Sequence, residues 1–401
     1  MVNGSMKLKQ TLRPPPRKEM SHAYSVKQSG EICKALNELQ IRKVLSDVYL
    51  EHLETIVHSV FMLGYKGKVV NTEFFREKHR TTVSHFLNNG KWNSLQFEKA
   101  LKRQVIDRIY GESRKSGEPV FCIVDDTIAS HTKPSSQASC PIEDAYFHQS
   151  HLKKCQDYGH QAVGVMLSCN GLPLNYAIVL YDRTHSKIEI VQSIINELPR
   201  PPHSAYFLCD SWYASNKLMD AFAQKGFEMI GALRTNRIIY PNQTRQQAKH
   251  FALGICKDDS NVNLVTVGKR NYYVYRYRGQ INGHDDAVVL LSYPEHAFGE
   301  AKALRVFIST RTELSTQEIL SLYANRWSIE VFFILLCSDL LSSAKFEKVH
   351  LPSRKFQRHI ERARETDSRH WPLCYTRVGY RRSMVRRERC FLLSRITKVS
   401  S

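Results

Sequence analysis

No apolar run in this 401-residue chain approaches the roughly 18 consecutive residues that a membrane span needs. The N-terminal stretch MVNGSMKLKQTLRPPPRKEM is basic and proline-rich but lacks an apolar h-region, so it is not read as a signal peptide. Ten cysteines are scattered without a single CxxC pair, and Cys122 and Cys209 fall inside apolar runs. That pattern argues against a disulfide frame and for reduced core thiols in a cytoplasmic protein. No internal repeat is visible, which excludes solenoids and propellers. Acidic residues are the scarce class: 38 Asp and Glu face 58 Lys and Arg, giving +20 and a pI near 9.5. Such an excess favours a polyanionic partner, most simply nucleic acid. What is present suits a folded protein, since 42% hydrophobic and 10% aromatic residues exclude global disorder. The length predicts about two or three domains.

Along the chain, residues 1–30 read as a flexible basic arm. Residues 31–115 read as a helical domain, with apolar residues at helical spacing through LNELQIRKVLSDVYLEHLETIVHSVFMLG and LQFEKALKRQVIDRIYG. Between them, Thr81, Thr82 and Ser84 are candidate caps of a short helix that Asn89-Gly90 would end. Arg76, Lys78, His79, Arg80 and Lys91 surround it. This is either a small DNA-binding module, with Arg80 and Lys91 among its contacts, or a solvated basic face. From residue 116 the pattern changes. EPVFCIVDDT is an apolar strand ending in two aspartates, and HQAVGVMLSCNGLPLNYAIVLYD reads as two strands turning at Asn170-Gly171. KIEIVQSIINELP is an amphipathic helix, SAYFLCDSWYAS a further strand, NKLMDAFAQKG a helix and FEMIGALRTN a strand. The order β-β-β-α-β-α-β is that of a ribonuclease H-like α/β core, placed here over residues 116–234. Residues 235–305, rich in Arg and Tyr, read as an antiparallel β insertion. The core resumes over 306–337 with a last strand and a helix capped by Ser315 or Thr316. Residues 338–401 form a basic tail, with 16 Lys and Arg against 6 Asp and Glu.

Three carboxylates stand out. Asp126 and Asp210 each follow an apolar strand, where an α/β sheet places its site, and Glu330 lies on the last helix. If folding brings them together they repel one another, and a divalent cation is the natural remedy. Hard oxygen ligands suit Mg²⁺ or Mn²⁺, and two such ions can activate water or a 3′-hydroxyl for attack on a phosphodiester. Each residue also has a plainer reading: Asp125 and Asp126 as loop caps, Arg326–Glu330 as an i,i+4 surface pair.

The ordered set VDDT, CDSWYAS and YANRWSIEVFF resembles the bacterial insertion-sequence transposases of the DDE type, more narrowly the cut-and-paste group with a Y-x2-R-x3-E-x6-K signature. The resemblance spans about residues 40–335. It implies that Asp126, which precedes a threonine, is the first catalytic aspartate, with Asp125 its neighbour; the reverse assignment stays open. It makes Asp210 and Glu330 the other two metal ligands, and Tyr323 and Arg326 the groups that hold DNA phosphates near the cut. It implies terminal repeats and target DNA as partners, and a homodimer acting on paired ends in the nucleoid-associated cytoplasm. The rival readings are a structure-specific nuclease of the same fold and a non-catalytic DNA-binding remnant.

The chain departs from the pattern where the signature wants lysine: position 337 is Cys337. The arginine-dense tail beyond it has no apolar period. One explanation is a reading frame that slipped near residue 334, leaving a degenerate copy; the other is a divergent DNA-binding tail. Cys140, His148, His151 and Cys155 fit no standard zinc finger and read instead as a polar loop. Tyr272, Tyr273, Tyr275 and Tyr277 with Arg276 and Arg278 are candidates for a DNA groove, although half of them must face inward on an alternating strand. Trp212, Trp327, Ile329 and Phe333 are expected to pack inward.

Overall fold

The computed structural model describes residues 30, 32–63, 79–135, 137–138, 141–150, 154–268 and 270–333. Nearly all of the expected basic arm, the basic tail with Cys337, and Cys140 and His151 lie outside the described residues. Contacts divide the chain into one unit up to Phe97 and a second from Glu98.

The first unit is helical. Leu50, Leu53 and Val57 of α1 (Asp47–Leu63) are buried at a spacing that places them on one helix face. In α2 (Arg80–Asn89), Val83, Phe86 and Leu87 are buried likewise. Phe86 stacks on Trp92 with ring centres 5.7 Å apart, and the Trp92 Nε1–H donates to the Phe86 carbonyl at 3.1 Å. The cap of α2 is His79, whose ring nitrogen accepts from the Thr81 N–H at 3.4 Å, rather than Thr81, Thr82 or Ser84. Those three hydroxyls already sit inside the helix, too late to cap it. Helix α3 (Ser94–Ser116) runs across the division between the units.

The second unit is built on one mixed sheet of twelve strands. Their order is β2-β3-β1-β5-β6-β12-β11-β10-β7-β8, with β4 paired to β3 and β9 to β10. Strand β1 (Val120–Ser130) is the axis: antiparallel to β3 (Cys155–Cys169) along most of its length, parallel to β5 (Ala205–Cys209) only as far as Val124↔Cys209. β3 turns into β4 (Leu172–Leu180) through Asn170 (φ 47°) and Gly171 (φ 69°). Both residues of that turn are left-handed, the geometry that matches the twist of a tight hairpin and that Asn-Gly adopts at least cost. The short β2 (Tyr146–Ser150) pairs with β3, and β6 (Glu228–Leu233) continues the parallel stretch beside β5.

One face of the sheet carries α4 (Lys187–Asn196) and α5 (Asn216–Gln224). Val120, Cys122 and Val124 of β1, with Val163, Val165 and Leu167 of β3, meet Ile190, Val191, Ile194 and Ile195 of α4 and Leu218, Met219 and Phe222 of α5 in one buried cluster. Phe222 stacks on Phe207 of β5 at 3.7 Å between ring centres. The opposite face receives the helical residues 327–333, where Phe333 and Ile329 lie against Gly164 so closely that a Cβ there would be 2.7 Å from the Phe333 ring.

The Arg- and Tyr-rich segment extends the same sheet as β7 (Ile238–Ile239), β8 (Gln246–Gln247), β9 (Val262–Val267), β10 (Arg270–Ile281) and β11 (His284–Pro294). It rejoins β6 through β12 (Arg305–Ser309). Its tyrosines and arginines are engaged by rings, carbonyls and a carboxylate of the fold. Tyr273 packs edge-on against Phe298 and Tyr275 against Phe251, each at 5.3 Å, while Tyr277 is buried and donates to the Gln280 carbonyl at 2.8 Å. Arg276 donates to the Thr312 carbonyl at 2.9 Å, and Arg278 pairs with Asp286 at 2.8 Å.

Candidate active site

Asp125 and Asp126 are consecutive on an unbroken strand, so the pleat sends their side chains to opposite faces. Neither terminates β1, which runs on to Ser130; what ends beside them is the pairing with β5. Asp125 shares its face with Ile123, on the side of the helical residues 327–333. Asp126 shares its face with Val124, on the side of α4 and α5.

On the first face, Arg326 joins two carboxylates. Its Nη1 lies 3.1 Å from Asp125 Oδ2, and its Nη2 donates to Glu330 Oε1, four residues further along. The backbone makes this reach possible. Ser315 caps α6 (Thr316–Tyr323) in a reciprocal capping box with Glu318, then the chain tightens into a 3-10 turn at Ala324–Arg326 before residues 327–333 resume the helix. Ile329 and Phe333 are buried as expected, but Trp327 stands 42% exposed. Ile329 and Phe333, four residues apart on one helix face, are the two side chains over Gly164. Tyr323 packs against Phe307 at 5.0 Å and lies 5.7 Å from the Arg326 guanidinium carbon.

Asp210 follows β5 directly, so it and Asp125 are the next residues past the last parallel pair, Val124↔Cys209. Its Oδ1 accepts the backbone N–H of Trp212 at 2.9 Å and of Tyr213 at 3.2 Å, which fixes the carboxylate at the strand end. Burial is the main force raising the Asp125 carboxyl, to about 7; Arg326 opposes it, and repulsion from Asp210 and Asp126 adds to it. Burial likewise lifts the Tyr323 phenol to about 12, so it is a neutral donor. Burial also works against the Arg326 charge, yet the Glu330 and Asp125 carboxyl groups beside it outweigh that and hold the guanidinium protonated.

On the second face, Asp126 Oδ2 collects three donors: Lys187 Nζ, Gln161 Nε2 at 3.3 Å and the Tyr213 hydroxyl at 3.2 Å. Lys187 opens α4 just behind its cap, where Ser186 accepts from the Glu189 N–H and Glu189 accepts from the Ser186 N–H at 2.8 Å. The ammonium lies 4.7 Å from the centre of the Trp212 ring and 5.6 Å from that of Tyr181. Trp212 is 38% exposed rather than packed inward, with this part-buried cation against its ring. Burial, then Asp126 beside it, pushes the Tyr213 phenol far up.

Of the residues singled out by sequence, the fold thus brings Arg326 and Glu330 to Asp125, with Asp210 at the neighbouring strand end, and turns Asp126 to Lys187 on the far side. Lys187, Gln161 and Tyr213 carried no sequence signal that tied them to Asp126; only Tyr213, within CDSWYAS, was near a motif. In the first unit, Arg80 begins α2, and Lys91 is exposed with its N–H on the Tyr49 hydroxyl at 3.0 Å. Of the four residues weighed for zinc, His148 is buried in β2 and Cys155 exposed.

Among the described residues no three His, Cys, Asp or Glu side chains are gathered closely enough to ring a metal ion. The donor chemistry still fits a hard divalent cation: Asp125, Asp210 and Glu330 offer only oxygens. The like-charge pressure on Asp125 is also what a cation relieves. Closing such a ring requires Arg326 to release the two carboxylates it now joins. Among the described residues no helix is long and apolar enough to cross a membrane.

No curated protein matches the chain. Residues 116–350, more than half of the chain and the part that carries all of these carboxylates, match the family model of the transposase DDE domain, and the chain belongs to that family.

Proposed function

We propose that this DDE-family transposase cuts DNA phosphodiesters at the ends of a mobile element and transfers the freed 3′ ends to target DNA. It does so with Asp125, Asp210 and Glu330 as its acidic trio. The observation that carries this reading is the Arg326 guanidinium, which joins a carboxylate on the central strand to one on the last helix beside Asp210. Strand alternation, which turns Asp125 toward Arg326 and Glu330 and Asp126 toward Lys187, supports Asp125 in the first position, the alternative to Asp126 that the sequence left open. The trio would hold Mg²⁺ or Mn²⁺, two ions in the full site. When bound, such ions activate water or a 3′-hydroxyl and offset charge on the leaving oxygen.

The chain's own groups do the rest. Arg326, with its planar fork, grips phosphate oxygens in a fixed orientation once DNA displaces it from the carboxylates. Tyr323 stays protonated and donates to the same phosphate. Residues 31–115, with Arg80 and Lys91, and strands β10 and β11 bind the terminal repeats, and two chains act on paired ends.

The test is a Mg²⁺-dependent assay on element ends that compares the chain with Asp210→Ala. Cleavage with joining, lost in the variant, supports the transposase. Cleavage without joining assigns a structure-specific nuclease, and binding without cleavage assigns a non-catalytic remnant.

A further inference from the structure

The outward face of α2 is made of residues that a plain solvated helix avoids. Thr81, Ser84, His85 and Asn88 lie at i, i+3, i+4 and i+7, a stripe opposite the buried Val83, Phe86 and Leu87. Thr81, His85 and Asn88 are exposed and Ser84 is half-buried. None of the four is Lys, Arg, Asp, Glu or Gln, the residues that cover a helix surface at least cost. Thr, Ser, His and Asn all favour the helix less, through lost rotamer freedom or competing bonds to the backbone. The stripe thus gives up helix stability for a row of short hydrogen-bonding groups, a local conflict that marks function. Asn88 Nδ2 donates to the Ser84 carbonyl at 3.0 Å and to Ser84 Oγ at 3.2 Å, which orders the carboxamide in advance. Tyr49 and His52 of α1 open a cleft beside Thr81 and His85 rather than covering them.

Charge selects the partner. No Asp or Glu occurs between Glu77 and Glu98, while Lys78 and Arg80 precede the stripe and Lys91 follows it. Such a segment draws a polyanion. Grip on phosphates alone calls for Lys and Arg along the face, not for uncharged groups. Base edges call for the uncharged ones: a carboxamide matches the N7 and amino pair of adenine, serine bonds to either base of a pair, and a threonine methyl meets that of thymine. The ten residues of α2 span about 15 Å, and the major groove, about 12 Å wide, admits one helix.

We infer that α2 enters the major groove of duplex DNA, where Ser84, His85 and Asn88 read base edges, with an A·T pair under Asn88, and Lys91 holds a phosphate. The inference deepens the terminal-repeat binding proposed above and rests on that reading for where the recognised sequence lies.

Selection by the full chain from a duplex library with a randomised core, in chelator, tests this, followed by competition anisotropy with single-pair changes in the enriched duplex. The wild type is expected to enrich one motif. Asn88→Ala is expected to lose about 5- to 150-fold of discrimination at a single A·T pair, the range of one base contact, and His85→Ala to relax a different pair. Lys91→Gln is expected to weaken all duplexes alike and to flatten log K against log salt by about 0.9. Because alanine favours helices, both alanine variants keep or raise the melting temperature. No enriched motif, an equal loss for every sequence in Asn88→Ala, full discrimination in that variant, or a lowered melting temperature overturns the reader. The Mg²⁺ cleavage assay separates the two proposals: a chain that cuts element ends without selecting a sequence refutes the reader alone, and one that selects a sequence but cuts nothing refutes the proposed chemistry alone.

Discussion

Replacing Asp125 with asparagine removes a carboxylate that the fold charges only at a cost. The structure raises this group from 3.8 to about 7, chiefly by burial, and a tenfold change in acidity corresponds to about 1.4 kcal/mol. Ionising Asp125 in the folded chain is therefore about 4 kcal/mol harder than in the unfolded chain. The sign follows from linkage: with the folded value above the unfolded one, the contribution is fully present below pH 4 and lost as pH rises toward 7 and just beyond. Asparagine does not titrate. Urea unfolding of the second unit's signal, measured in chelator from pH 4 to 8, should show the wild type losing about 4 kcal/mol relative to Asp125→Asn over that range. Adding Mg²⁺ at pH 8 should recover part of that loss in the wild type and none in the variant. A wild-type-minus-variant difference that stays flat across the series would refute the assigned burial of Asp125 and its crowding by Asp210 and Asp126.

The packing and capping arguments give two further tests. Gly164→Ala places a Cβ 2.7 Å from the Phe333 ring and should destabilise the second unit by about 1–3 kcal/mol in urea unfolding, with cleavage falling further because residues 327–333 carry Glu330. Ser186→Ala dissolves the capping box of α4 and should cost about 1 kcal/mol in the same assay; an unchanged midpoint would count against the cap as the anchor of Lys187.

Local chemistry made much of the fold readable. Asn170-Gly171 announced its hairpin because only residues tolerant of positive φ fill both turn positions, and Ser315, three residues before Glu318, announced a capping box. The short helix α2 was legible from the cap-type residues near its start and from Asn89-Gly90 at its end, but the cap itself was not, since histidine is an uncommon N-cap and three commoner ones stood nearby. The choice between Asp125 and Asp126 could not be read locally. Alternation says only that they face apart, and which face the Glu330 helix covers is a tertiary fact, visible in Phe333 against Gly164. Lys187 was hidden for the same reason: it reaches Asp126 across 61 residues, from a helix start whose sequence advertises only its cap. Trp212 and Trp327 read as core because tryptophan usually is; the structure leaves both at the surface, one of them beneath a lysine.

Everything functional depends on which aspartate joins Asp210 and Glu330. Isothermal titration of Mn²⁺ into the full chain at neutral pH, repeated with Asp125→Asn, Asp126→Asn, Asp210→Asn and Glu330→Gln, decides it. The account expects binding to survive in Asp126→Asn and to be lost in the other three variants. Binding that vanishes in Asp126→Asn and persists in Asp125→Asn would contradict it.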